Sequence, residues 1–80
     1  MLYVSGFPVH ADDARWLADR LYQDRVDEAV SAALAIEACA ERELAVVPLT
    51  REQRRAVLAV LDDPPAGLRE LRTKLLQEVA

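Results

Sequence analysis

The sequence predicts an all-α fold, a small four-helix bundle-like domain with an extended N-terminal arm. Apolar residues recur at helical spacing along most of the chain, and only two of its 80 residues are glycine, too few for a turn-rich all-β fold. The apolar fraction is 52% but the aromatic fraction is 5%, so Leu, Val, Ile and Ala must form the core. A chain of this length makes one domain at most, spanning 1–80, and a core this small stabilises a monomer only marginally.

The extended arm is predicted over residues 1–9, MLYVSGFPV. Tyr3 favours a strand, and Gly6 is typical of the residue that ends one. The other extended segment is 44–49, LAVVPL, because the residue before Pro48 is biased away from the helical region. A lone strand is not stable, and a short pairing between these two segments is one way to support the arm.

Helices are predicted over 11–22, 24–44, 51–62 and 64–79. The spacing predicts that Ala14, Leu17, Ala18 and Leu21 form the buried stripe of the first, and that Leu76 widens the leucine stripe of the fourth. The second carries an apolar stripe, and its opposite side is also mostly small and apolar, with Ala32, Ala35, Ala38 and Cys39. A helix that is apolar nearly all round is normally a central one. Small side chains let a neighbouring backbone approach closely, so this helix is either a bundle centre or a dimer seam.

The segment LDDPPAGLREL, 61–71, is predicted to end one helix and begin the next. Proline is tolerated at the first helical positions, whose N–H groups have no partner within the helix. Asp63 is then the expected N-cap, with its carboxylate accepting the N–H of Ala66. The third and fourth helices should form an αα-hairpin that packs on the second. The third opens with Thr50 and Gln53 at capping-box spacing.

The charge distribution bears on function. The net charge is −4, divided as −5 over residues 1–50 and +1 over residues 51–80. An acidic chain binds nucleic acid or anionic membranes poorly by charge alone. The single cysteine excludes an intrachain disulfide, and Asp12 and Asp13 come too early for a signal peptide. We therefore expect a cytoplasmic protein with no membrane span.

No constellation typical of an enzyme is recognisable. Cys39 has no basic neighbour in sequence to lower its pKa, which favours a buried structural thiol. His10, Asp12 and Asp13 do not have a recognised metal-ligand spacing. A glycine-rich phosphate loop is also lacking. We expect no catalytic activity, no metal and no cofactor.

The segment LTREQRRAVLAVL, 49–61, resembles the helix that opens the DNA-binding region of bacterial sigma factors. Such a resemblance implies a short turn and then a second helix that presents polar residues to bases. Here the turn is DDPPAG and the next helix carries a leucine stripe. With the acidic net charge, this departure favours an ordinary helix start over a sigma-factor domain.

The leading functional hypothesis is a non-enzymatic protein-interaction module, a homodimer that self-associates through the Ala-rich second helix. The alternatives are a nucleic-acid-associated regulator that uses Arg51, Arg54 and Arg55, and a helical sensor that binds a small molecule in its core. The candidate interaction residues are Trp16, Ala32, Ala35, Cys39, Arg51 and Arg55.

Three charged residues interrupt or border the predicted apolar stripes. Glu37 lies within the stripe of the second helix and Arg72 within that of the fourth, and Arg54 borders that of the third. A charge in an apolar stripe must be paired or must reach solvent. We predict that Glu37 contacts Arg72 or Arg54, within one chain or across a dimer.

Overall fold

A computed structural model describes residues 1–79, which form four α-helices and a small three-stranded sheet. The mainly helical character is confirmed, whereas the sheet departs from the all-α expectation. In chain order the elements are β1 (Leu2–Val4), β2 (Phe7–Val9), α1 (Ala11–Asp24), α2 (Asp27–Glu41), β3 (Val46–Val47), α3 (Arg51–Val60), a 3-10 turn (Ala66–Leu68) and α4 (Arg69–Val79).

The N-terminal arm is a hairpin rather than a single strand. β1 and β2 pair antiparallel, with Val4 opposite Phe7. The turn between them consists of Ser5 and Gly6, whose φ angles are 53° and 80°. A two-residue type I′ turn requires positive φ at both central positions, and its twist matches that of the two strands. Gly6 therefore takes part in a chain reversal, whereas the sequence predicted only that it ends a strand. Pro8 is tolerated in β2 because β2 is an edge strand.

The third strand comes from the second extended segment. β3 pairs parallel to β1, with Tyr3 opposite Val46 and Val4 opposite Val47, and the strand order is β2-β1-β3. The considered pairing of 1–9 with 44–49 is thus confirmed. Parallel strands need a long connection, and here α1 and α2 supply it.

One hydrophobic core joins the sheet to the helices. The stripe predicted for α1 is confirmed as its buried side, and the sheet contributes its inward-facing residues to the same core. Leu68, Leu71 and Leu75 of the C-terminal hairpin are fully buried, whereas Leu76, which was expected to widen their stripe, is 41% exposed. The sheet residues in the core are Leu2, Val4, Val9 and Val47.

α2 is shorter than the predicted 24–44 at both ends. α1 continues to Asp24, two residues beyond its predicted end, and Arg25, with a φ of 60°, ends it before α2 begins. A capped turn then ends α2 at Glu41. The N–H of Leu44 donates to the C=O of Cys39 at 2.8 Å, and the N–H of Glu43 donates to the C=O of Ala40 at 3.2 Å. Glu43 has a φ of 56°. These two bonds around a left-handed residue form a Schellman motif, which turns the chain out of α2 and towards β3.

The linker between α3 and α4 differs from its prediction. The capping box of α3 is confirmed, since Gln53 N–H donates to Thr50 Oγ1 at 3.1 Å and Thr50 N–H donates to Gln53 Oε1 at 2.8 Å. The N-cap assigned to Asp63 is wrong: its φ is 52°, and the 3-10 turn that follows is capped by Pro65 without a side-chain bond. A residue that precedes a proline is kept out of the right-handed helical region, so the helix starts later than predicted.

Candidate functional site

The outer side of the sheet carries an uncovered group of apolar residues. Tyr3 of β1 lies between Pro8 of β2 and Val46 of β3. All three are exposed, because the sheet packs on the core only through its other side. Met1 and Leu44, which precede β1 and β3, are also exposed and lie together at one end of this row, where both line a groove. We name these five residues the outer sheet face.

The outer sheet face is large for a chain of this size. Val46 is 61% exposed, Leu44 50% and Tyr3 37%. A contiguous apolar patch of a few hundred Å², roughly 300–600 Å², is the usual size of functional patches on monomers. None of its five residues carries a charged side chain. The row formed by Pro8, Tyr3 and Val46 can therefore pack on another apolar surface without burying a charged side chain.

The free edge of β3 is not part of this surface, because Cys39 covers it. The N–H of Tyr3 donates to the C=O of Ala45, so the C=O of Val46 points away from β1. Cys39 Sγ donates to that C=O at 3.4 Å. Cys39 is a buried free thiol, only 6% exposed. This hydrogen bond occupies a carbonyl of β3 with which another strand would otherwise pair.

The small residues of α2 pack mainly within the chain. Ala32 is fully buried, and Ala35 is half-buried against the core. Together with Cys39 they fit α2 closely against its neighbours in the same chain. A dimer seam through Ala32 and Cys39 would require the monomer to open. The exposed side of α2 carries Leu34, which is 56% exposed, and Ala38.

Trp16 packs partly on the core and is half-buried. The guanidinium carbon of Arg20, one helical turn further on, lies 5.9 Å from the centre of its ring. This is the geometry of a cation–π contact. Trp16 thus presents little free aromatic surface to a partner.

The predicted ion pair of Glu37 is not formed within the described chain. Glu37 and Arg72 are both exposed, and neither forms an ion pair within residues 1–79. Glu37 instead faces α1, where a hydrogen bond from the Tyr22 phenol to its carboxylate raises the pKa of Tyr22. Partial burial and the negative charges of Glu37 and Glu41 raise that pKa further.

Arg54 is paired, but with a different acid. Its Nε lies 3.6 Å from Glu78 Oε2, with both side chains 30% exposed, and its Nη1 donates to the C=O of Leu49 at 3.2 Å. Ser5 Oγ donates to the same Glu78 oxygen at 2.6 Å. Glu78 therefore joins the β1–β2 turn and α3 to α4. The apolar periodicity of the fourth helix did not single out Glu78, so the sequence did not predict this contact.

The other two arginines of the cluster do not make a basic face. Arg51 and Arg55 are exposed. Arg55, however, lines a surface groove together with Asp24, Glu28 and Glu52. These acids offset its charge, so the arrangement lacks the clustered positive potential that phosphate binding needs.

A surface groove of about 330 Å³ runs along the contact between α1 and α2. Its floor is apolar and mostly alanine, and charged residues line its rims. We name it the α1–α2 groove; it is lined by Ala11, Ala14, Arg15, Ala18, Asp19, Ile36, Glu37, Ala40 and Glu41.

The sequence predicts no metal site at His10, Asp12 and Asp13. His10 Nδ1 accepts the N–H of Asp12 at 3.3 Å and so caps α1. The same Nδ1 lies 3.7 Å from the Asp12 carboxylate, and both side chains are exposed. Residues 1–79 contain no group of three or more His, Cys, Asp or Glu side chains placed to hold a metal ion.

Comparison with protein-family models, curated proteins and solved structures finds no match to this chain. Within residues 1–79, no helix is long and apolar enough to cross a membrane.

Proposed function

We propose that this protein is a non-enzymatic protein-interaction module that forms a homodimer through its outer sheet face. The observation that carries the proposal is the uncovered, charge-free apolar row formed by Pro8, Tyr3 and Val46. In a symmetric dimer the same patch from each copy meets across a twofold axis, so the patch must complement itself. An uncharged patch meets this condition, whereas the acidic remainder of the chain does not.

The surface differs from the one expected from sequence. The small residues of α2 were the expected seam, but Ala32 and Cys39 are already used in the monomer core. Two sheets can pack face to face at about 10 Å, with their side chains interleaved. The outer sheet face is suited to this arrangement because the helices leave it open.

The size of the face sets the expected affinity. A contact made by only five residues from each copy is smaller than the roughly 20–30 residues a side of standard-size specific complexes, which bury at least ~1,200 Å². The dimer should therefore be weak and form in the micromolar range. Added salt should not weaken the dimer, since the contact contains no charge pairs and salt screens the repulsion between two copies of net charge −4.

Sedimentation velocity over a concentration series tests the proposal, with Val46→Glu and Leu34→Glu as a matched pair. Both residues are exposed, so neither change should unfold the monomer. Val46→Glu should weaken the dimer at least about tenfold, because it buries an unpaired carboxylate at the contact. Leu34→Glu, on the exposed side of α2, should leave it unchanged.

Two results would contradict the proposal. A monomer at several hundred micromolar would exclude self-association as the function. A dimer that only Leu34→Glu disrupts would return the interface to α2 and leave the sheet face without a role.

A further inference from the structure

The α1–α2 groove continues into a second one. The adjoining groove, about 430 Å³, shares Ala11 and Ala40 with it and reaches Leu44 beyond the end of α2. The two together form an apolar channel along the contact between α1 and α2. Its alanine floor has short side chains, so a helix laid in the channel could reach an interaxial distance of about 8–10 Å.

The rims of this channel carry an excess of negative charge. Glu37 and Glu41 border it from α2, and Asp19 borders it from α1. Arg15 is the only cation among the residues that line the α1–α2 groove. None of these three acids has a cation within ion-pair distance among residues 1–79. The acidic rim therefore favours a positively charged occupant.

The phenol of Tyr22 gives a second indication of this potential. Its pKa is raised, first by the hydrogen bond to Glu37 and then by partial burial and the charges of Glu37 and Glu41. A neighbouring cation would oppose this effect, so the carboxylates act on the phenol without local compensation.

We propose that the α1–α2 groove binds an amphipathic helix of a partner protein, with small apolar residues on one face and lysine or arginine along its flanks. Apolar helices seated in grooves are a recurrent form of peptide recognition. The apolar face would cover Ala40 and Ile36, and the basic flanks would pair with Glu37 and Glu41. A second copy of this chain is a poorer occupant because its net charge is −4. The α1–α2 groove shares no lining residue with the outer sheet face, whereas the adjoining groove reaches Met1 and Leu44 of that face.

The experiment uses a fluorescently labelled peptide of lysine, leucine and alanine, roughly 18 residues or five helical turns long. A matched peptide has glutamate in place of every lysine. Fluorescence anisotropy with the full chain should show micromolar binding of the lysine peptide and at least about tenfold weaker binding of the glutamate peptide.

Charge variants show whether this binding is local. Glu37→Gln/Glu41→Gln should weaken the lysine peptide about three- to tenfold, as expected for two partly exposed ion pairs. The control Glu28→Gln/Glu52→Gln removes the same charge around a different groove and should change binding less than about twofold. Equal losses in both double variants would overturn the proposal, because the peptide would then respond only to net charge.

Size variants test the floor. Ala40→Phe should fill the channel and weaken the lysine peptide at least about tenfold. Ala38→Phe is the control, since it lies about 160° away around α2. Melting curves by circular dichroism show whether both variants are folded. Unchanged binding in a folded Ala40→Phe, or no binding by the original chain, would also overturn the proposal. If Ala40→Phe does not fold, the two charge double variants alone test the proposal.

Discussion

Replacing Glu43 with glycine should stabilise the protein, because this residue occupies a left-handed position that glycine adopts freely. Glu43 has a φ of 56° in the Schellman motif that ends α2. For an L-residue this conformation costs about 1–2 kcal/mol. Glycine avoids most of that cost but loses about 0.5–1 kcal/mol more backbone entropy on folding. The Glu43 side chain forms no hydrogen bond or ion pair within residues 1–79, so its removal sacrifices no such contact.

The expected net gain is about 0.5–1 kcal/mol in the free energy of unfolding. For a domain of this size it corresponds to an increase of about 2–8 °C in Tm. Thermal and urea unfolding followed by circular dichroism measure both quantities. The motif also turns the chain towards β3, so a stabilised turn should leave dimerisation intact.

Glu41→Gly is the matched control, since it removes the same side chain and charge from the last residue of α2. Glycine in a helix costs up to about 1 kcal/mol relative to alanine, so this variant should be less stable than the original chain. Equal destabilisation by the two glycines would refute the reasoning, because it would mean that position 43 is not left-handed in solution.

Three further predictions concern the core, the acidic side of α2 and the arginines. Leu71→Ala, at a fully buried position, should cost about 3 kcal/mol in urea unfolding, and a cost below about 1 kcal/mol would contradict the packing described for α4. Glu37→Gln should lower the raised pKa of Tyr22. Ultraviolet difference titration measures this pKa once the titration curve of the Tyr22→Phe variant is subtracted. An unchanged pKa would mean that the two groups do not touch. The raised pKa favours folding below the ordinary tyrosine pKa, and this contribution is lost as pH rises through the folded value. The chain should not bind duplex DNA at physiological salt in gel-shift assays; salt-sensitive micromolar binding that is lost in Arg51→Ala/Arg55→Ala would restore the regulator hypothesis.

The local signals in the sequence were reliable where short-range contacts decide the structure. The capping box of Thr50 and Gln53 lies within one helical turn, and the structure forms both of its bonds. The buried stripe of α1 depends only on helical spacing, and it is confirmed. Pro48 correctly indicated an extended segment, because proline restricts the residue before it in any fold.

The local signal was insufficient at turns where several backbone conformations compete. Ser5 and Gly6 form a two-residue hairpin turn, although the sequence suggested only the end of a strand. Asp63 has the composition of an N-cap but adopts a left-handed conformation before two prolines. In both segments the choice depends on where the following element must pack, which no local pattern specifies.

The site residues depended most on the tertiary structure. Helical spacing placed Glu37 and Arg54 near apolar stripes, but it could not determine which acid each arginine meets. Arg54 pairs with Glu78, which also accepts from Ser5, a residue 73 positions away in sequence. Likewise, the sequence indicates that residues 1–9 and 44–49 are extended, but only their parallel pairing places Tyr3 beside Val46. Side chains distant in sequence meet according to the packing of whole elements, so the outer sheet face and the α1–α2 groove emerge only when the helices and the sheet are assembled.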